Sequence, residues 1–347
     1  VINRVRRAKV PALLLTLGMV AAGCGTDEPQ RPEEQRTVTL VTDSSWTIPQ
    51  ELHAAFERQT ELQLEHRTIG DTPTELVEAL GKITAGDVVL GLDTSTVQQA
   101  LRDDVLTPYT SPEANRGQQR FSVDEQQRLS AIDRLVVCVN VDETWFTEHD
   151  VPPPESAEDL ADPAYRGLLA MPDPKTSQHG MTYLLGSIAQ QGRGGWQRYW
   201  KRLKNNGVTV LPTDADVRQQ YTATGGKGEH PLVIASATLP GQLSGDEGGR
   251  TSVLEDTCHE QVRYAAVLAS ADSDERAGKL VDFLLTQQFQ QAVPEAYGTY
   301  PVRMGVELPE EWADKVPAPE EPGALPARAA DAGRKQVLAR WQQVMGG

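Results

Sequence analysis

Three aspartates each stand just after a short apolar run. Asp43 follows residues 37–42, Asp93 follows 87–92, and Asp173 follows 168–171. Open α/β sheets bind ligands just outside the carboxyl ends of their strands. A carboxylate placed there can act as a counter-charge or accept hydrogen bonds. It can equally cap the next helix, because the first amides of a helix lack partners. Three acids at equivalent strand ends favour a site. The third opens the loop Asp173-Pro174-Lys175-Thr176-Ser177-Gln178-His179-Gly180. Thr176 or Ser177 is a good N-cap for a helix over 181–190, and Gly180 lets the backbone approach something closely. Such a loop is a ligand site built on helix amides, or an ordinary strand-to-helix turn.

Other chemistry finds little support. His53, His66, His149, His179, His230 and His259 form no HxxxH pair, so no metal site is indicated. There is no GxSxG elbow and no obvious acid–base dyad, which argues against an enzyme and leaves no catalytic residues and no cofactor to assign. The chain carries a formal charge of −16. Nucleic acid is a poor partner for such a surface, and the acid excess is spread along the chain, which serves solubility.

The elements that must hold these aspartates alternate. Strands are expected at 37–42, 62–68, 87–92, 135–141, 168–171, 208–211, 231–235 and 262–268. Helices are expected at 49–59, 74–84, 156–160, 181–190, 196–204, 275–285, 287–293 and 328–345. The run 87–92, DVVLGL, is apolar throughout, as in strands buried on both faces. Strand–helix alternation over 347 residues predicts an α/β fold with mostly parallel sheets and two domains. Trp196, Tyr199, Trp200 and Leu203 recur at helical spacing and read as core rather than as a ligand cage. The loop at 225–228 is glycine-rich and separates two strands.

The N-terminus has the form of an export signal. Residues 1–23 hold Arg4, Arg6, Arg7 and Lys9 and no acid, then an apolar run from 11 to 22 too short to span a bilayer comfortably. Ala21-Ala22-Gly23-Cys24 resembles a bacterial lipobox, which implies cleavage before Cys24 and lipidation of its sulfur. Residues 24–36 read as a disordered, Glu- and Pro-rich tether. The expectation is a protein anchored by lipid to the outer face of the cell membrane. Outside the cytosol the remaining two thiols, Cys138 and Cys258, are candidates for a disulfide or for two buried free cysteines.

The lipobox, the tether, DVVLGLD, Pro-Asp-Pro-Lys-Thr-Ser, the run from Tyr264 to Tyr300-Pro301-Val302, and the cysteine segments 135–142 and 256–262 together resemble a family. It is that of thiamine-type substrate-binding lipoproteins of ABC importers, in its actinobacterial branch. The resemblance runs from about residue 38 to the end of the C-terminal helix. It implies a two-lobed periplasmic-binding-protein fold of type II. Lobe one would take 37–137 and 263–347, and lobe two 138–262, with the C-terminal helix free to dock on lobe two. Strands 135–141 and 262–268 would cross between lobes, which would bring Cys138 to Cys258.

The resemblance also implies a ligand set. Asp93 would face a cationic ligand. Asp43 and Ser44 match the Asp-Ser after strand one, with Trp46 as an aromatic in the same loop. Thr176 and Ser177 match the Thr-Ser of the second lobe, and Tyr300 matches the Tyr of the Tyr-Pro-Val motif. Elsewhere the chain departs from the family. The indole expected within 212–215 is missing, Ser236 stands where a tyrosine is expected, and Gly298 with Tyr297 beside it stands for another aromatic. Tyr221 is a further candidate wall, but alone it cannot supply the paired phenolates of a ferric site. The implied function is capture of thiamine or a related small organic cation by a monomer, for delivery to a permease and its ATPase. A phosphate- or phosphonate-type anion at Thr176 and Ser177, another small solute, or a cell-surface sensor that does not transport are the alternatives.

Overall fold

The computed structural model describes residues 36–83, 85–225, 227–243, 250–312, 315–316 and 327–346. The export signal, Cys24 and the tether to residue 35 lie outside them. Among the described residues no helix is long and apolar enough to cross a membrane.

The chain opens with strict alternation: β1 Thr37–Thr42, α1 Gln50–Thr60, β2 Gln63–Thr68, α2 Pro73–Leu80, β3 Val88–Asp93 and α3 Val97–Arg102. β1 lies between β2 and β3 and is parallel to both. α1 buries Leu52, Ala55 and Phe56 on one face. The hydroxyl of Thr72 caps α2, accepting from the Glu75 amide, and Pro73 fills its first turn. α2 stops at Leu80 instead of continuing to 84, because its buried stripe ends there and Gly81 follows. A short strand, β4 Leu106–Thr107, precedes β5 Ser130–Asp142 and α4 Glu143–Glu148.

The second alternation comprises β6 Leu169–Pro172, α5 Gln178–Asn205, β7 Thr209–Leu211, α6 Asp214–Gln220, β8 Leu232–Ser236 and α7 Leu239–Gln242. β6 is parallel to both β7 and β8. The two helices expected at 181–190 and 196–204 are both present, as the two halves of α5, separated at Gly192, whose backbone is not helical (φ 68°, ψ 167°). The helix expected at 156–160 is only a 3-10 turn, Asp159–Ala161. α6 was not anticipated, although its capping box between Thr213 and Asp216 is a readable start signal. The chain ends with β9 Thr251–Leu268, α8 Asp274–Leu284, α9 Gln287–Tyr297, β10 Tyr300–Pro301 and α10 Ala327–Gly346.

Among the described residues all ten strands join one sheet, ordered β2-β1-β3-β9-β5-β8-β6-β7, with β4 beside β9 and β10 beside β5. The two ends are parallel, and the long β5 and β9 run antiparallel through the middle. The fold is therefore α/β and two-lobed. Lobe one buries Leu40, Phe56, Leu76, Leu90, Ile132, Tyr264 and Phe289 in one core. Lobe two buries Val139, Phe146, Tyr183, Trp196, Trp200 and Ile234 in another, and Trp341 of α10 belongs to it. The tryptophan stripe of α5 is core, with the Trp200 indole donating to Ser187 Oγ at 2.9 Å.

The crossing strands are longer than the apolar runs 135–141 and 262–268. Polar residues extend them because those residues find partners across the ladder. The Val139 amide donates to Thr257 Oγ1 at 2.8 Å, and Arg134 pairs with Glu260. Cys138 and Cys258 are disulfide-bonded across this pair of strands, as the resemblance implied. On the same ladder α5 lies very close to β9. A Cβ on Gly186 would fall inside the His259 ring, so only glycine fits there. Burial holds the His259 imidazole neutral, with its pKa pushed down to about 4.

Two outcomes follow from this ladder. Cys138→Ala with Cys258→Ala should lower the unfolding free energy by ~3–5 kcal/mol, because the bridge closes a loop across a sequence separation of 120 residues. Urea denaturation measures it, and a loss under ~1 kcal/mol would mean that strand pairing alone holds the crossing. The second outcome concerns acid. The His259 pKa is depressed in the folded state, so the unfolded chain binds the proton first. Stability contributed by neutral His259 is intact above about 6.5, falls as pH drops towards 4, and levels off below that, a loss of about 3 kcal/mol. His259→Gln should flatten that part of the stability–pH curve. An unchanged slope would refute the assignment.

Candidate functional site

The three strand-end aspartates share one local device. Each uses Oδ1 to accept from the amide two residues on, at 2.8 Å: Asp43 from Ser45, Asp93 from Ser95, Asp173 from Lys175. This turn bond takes one oxygen of each, while the N-caps of the helices that follow are Pro49, Thr96 and Ser177. What the other oxygen faces separates them.

Asp93 ends the wholly buried β3. Its Oδ1 also accepts from Ser95 Oγ at 2.7 Å and Thr96 Oγ1 at 3.0 Å. Its Oδ2 points the other way. Gln178 Nε2, at the start of α5 in lobe two, donates to it at 3.3 Å, and the Arg334 guanidinium of α10 lies 3.9 Å away. Asp93 is thus the acid at which lobe one meets lobe two.

Asp43 is fully buried, and its Oδ2 has no hydrogen-bond partner among the described residues. Burial raises its carboxyl above the usual range, against the opposing bonds from Ser45. Gly91 of β3 makes room for it. That residue has φ 117°, and a Cβ there would lie 2.7 Å from Asp43 Oδ2 and 3.0 Å from Trp46 Nε1. The glycine of DVVLGLD is the residue that the close approach demands. Trp46 is buried beside Tyr297, ring centroids 4.6 Å apart, and the Arg263 guanidinium sits 4.1 Å over its ring. The Trp46 indole N–H and the Tyr297 hydroxyl also lack partners among the described residues. Asp43, Trp46 and Tyr297 therefore bring three unpaired polar atoms to one region, and the Asp93 charge is felt there.

Arg263 is itself held. Its Nε donates to Asp133 Oδ1 at 2.6 Å, a second guanidinium nitrogen donates to Oδ2, and Thr299 Oγ1 donates to the same carboxylate at 2.8 Å. Both charges of this pair are buried. The face of Trp46 expected to meet a ligand cation is covered by this internal guanidinium.

The remaining expected residues are spread around the interface. Ser44 is exposed and donates to the Asp71 carbonyl. Thr176 donates to the Pro212 carbonyl at 2.7 Å. Ser177 caps α5, accepting from Gly180 N at 3.1 Å and donating to Asp214 Oδ1 at 2.6 Å. His179 Nδ1 is 3.0 Å from the same Asp214 oxygen. Burial raises the Asp214 carboxyl, but His179 and Ser177 outweigh it and hold the pKa down. The close approach at Gly180 is to the chain itself, at Pro172 and Pro174. Ser236 donates to the Gly298 carbonyl at 2.7 Å, joining β8 of lobe two to the α9–β10 turn of lobe one. Tyr221 is core in lobe two with Val217 and Leu239, its hydroxyl lacking a partner among the described residues. Tyr300 packs with Val136, Trp312 and the disulfide. No group of three or more His, Cys, Asp or Glu side chains able to hold a metal occurs among the described residues.

Gln178, Asp214, Arg263 and Arg334 complete this picture without having been singled out. Arg263 had a signal, as the only charge in the apolar run 262–268. Gln178 sat unremarked in the loop. Nothing in the spacing of the last helix marks Arg334.

Two α/β lobes joined by crossing strands, with a buried acid where they meet, make the fold of a type II periplasmic binding protein. Residues 86–322 match the family described as bacterial extracellular solute-binding protein, and the chain belongs to that family. Over 326 residues it is 24% identical to the thiamine-binding periplasmic protein of Brucella suis biovar 1, covering 88% of this chain and 91% of the relative. A solved periplasmic thiamin binding protein superposes with a TM-score of 0.70 at 21% identity, over 89% of this chain and 96% of that one. The ferric binding protein from Campylobacter jejuni superposes with a TM-score of 0.72 at 17% identity, over 88% and 99%. These are binding proteins rather than enzymes, and the family is extracytoplasmic.

The Asp133–Arg263 pair generates a stability test. Asp133→Asn keeps the shape but leaves a buried guanidinium without its counter-charge. A loss of ~3–5 kcal/mol is expected in chemical denaturation. A loss below ~1 kcal/mol would show that Arg263 finds compensation elsewhere.

Proposed function

We propose that the protein captures thiamine or a related small organic cation between its lobes and delivers it to an ABC permease and its ATPase. The observation that carries this reading is Asp93, buried at a strand end, with its second oxygen turned to Gln178 of lobe two. A carboxylate shielded from water attracts a cation far more strongly than an exposed one. Asp43, Trp46 and Tyr297 supply unpaired polar atoms beside it, and the Tyr297 ring is the aromatic surface proposed for a thiazolium or a pyrimidine. The sequence likeness to thiamine-binding periplasmic proteins supports the same class. Thr176 and Ser177 are proposed as the hydrogen-bonding lip, Tyr221 and Tyr300 as further walls, and Ser44 and Ser236 as additional ligand positions. The lobes are taken as 37–137 with 263–347, and 138–262, with the C-terminal helix docked on lobe two. The protein works as a monomer held to the outer face of the membrane by lipid at Cys24.

The anion alternative is the weaker one. An anion bound at the start of α5 would meet Asp214, which already accepts from Ser177 and neighbours His179. Asp214 already brings a negative charge to that helix end, and a second anion there would be repelled.

Isothermal titration with thiamine tests the cation reading. Asp93→Asn removes the charge and keeps the size, and affinity should fall by roughly 10- to 150-fold, the worth of a hydrogen bond to a charged group. An equal affinity in the variant, or a tight anionic ligand, would overturn it.

A further inference from the structure

The last helix touches both lobes. The distal half of α10 is sunk in lobe two. The Trp341 and Trp200 ring centroids are 5.7 Å apart, edge to face, and Val337 and Leu338 pack on Met181 and Leu185 of α5. The middle of α10 faces lobe one. Lys335 Nζ lies 2.9 Å from Glu78 Oε1 of α2. One residue earlier, Arg334 donates to Ser95 Oγ and brings its guanidinium 3.9 Å from Asp93 Oδ2. The Arg334 side chain is only 12% exposed and that of Asp93 1%. Asp93 Oδ1 is already filled by Ser95 and Thr96, so Oδ2 is what remains, and Arg334 stands beside it with Gln178.

A second cation brought to Asp93 would have to share one carboxylate oxygen with Arg334. Like charges held a few ångströms apart out of water repel strongly. We propose that Arg334 is an internal competitor for the ligand's cation. It straps the lobes together through Asp93 when no ligand is present, and a cationic ligand enters by displacing it. This rests on the cation reading of Asp93. Trp341 keeps the far end of α10 on lobe two throughout, so only the middle of the helix has to let go. Arg334 then sets specificity, because a cation is accepted only if its contacts outweigh those of a tethered guanidinium. The tether makes the competitor permanently available at high effective concentration.

Two measurements separate the strap from the ligand class. The first uses the ligand-free protein. Arg334→Gln, Asp93→Asn and the double variant are compared by thermal unfolding. The single changes should each lower Tm, and the double should lower it no further than the worse single, because both remove the same contact. Additive losses would overturn the strap. The second is titration with thiamine and with spermidine. Arg334→Gln should bind at least ~10-fold more tightly than wild type, and Arg334→Lys, which keeps the charge, should stay near wild type. Weaker binding by Arg334→Gln would overturn competition and make Arg334 a ligand contact. If neither cation binds any variant, the cation reading and the competitor role fail together, and the unfolding cycle alone decides whether the strap exists.

Discussion

The antiparallel pairing of β5 with β9 is the constraint on which the rest of this molecule depends. Each parallel end of the sheet could be built by local strand–helix–strand units. Only this pairing makes the two ends one body. It also fixes where the charged and covalent links fall. In register, Asp133 lies opposite Arg263, and the partners of Val137 and Val139 flank the segment that carries Cys258. The same register delivers Arg263 to the ring of Trp46, and through β3 it sets Asp93 beside it. A slip of one residue would turn every one of these side chains to the opposite face.

The interface between the lobes is built mostly from donors and acceptors that satisfy one another. Ser236 meets the Gly298 carbonyl, and Gln178 meets Asp93. Against that background the unpaired atoms of Asp43, Trp46 and Tyr297 stand out. Buried polar groups without partners are costly, and natural proteins keep them where something else will fill them. Their concentration beside Asp93 argues for a ligand more directly than the number of aromatic rings does.

Much of this architecture was legible in the sequence. β3 could be read because it is apolar on both faces, and Asp93 because it follows directly. The Trp196 to Leu203 stripe declared itself core by its spacing. What could not be read depended on distant partners. The polar half of β9 looks like loop until Val139 and Arg134 are placed across from it. Asp43, Asp93 and Asp173 look alike in sequence, because the turn bond they share is local. Only the opposite oxygen differs, and its surroundings come from elements far along the chain. Arg334 is the extreme case, an ordinary basic residue on a helix whose neighbours at Asp93 and Ser95 lie some 240 positions earlier in the chain.

The register of the crossing strands shifts at three places: between Ala131 and Asp133, between Val137 and Val139, and in β3 between Leu90 and Leu92. At each the ladder is locally broken and bending is easiest. The covalent link at Cys138 and Cys258 lies next to the second of these and forbids the two strands from sliding past each other. A cross-strand bond of this kind opposes shear along the strands and leaves bending at the breaks as the easier deformation. Asp133 and Arg263 pair at the edge of the first of these breaks, so the buried charges sit where the ladder is interrupted rather than where it is continuous.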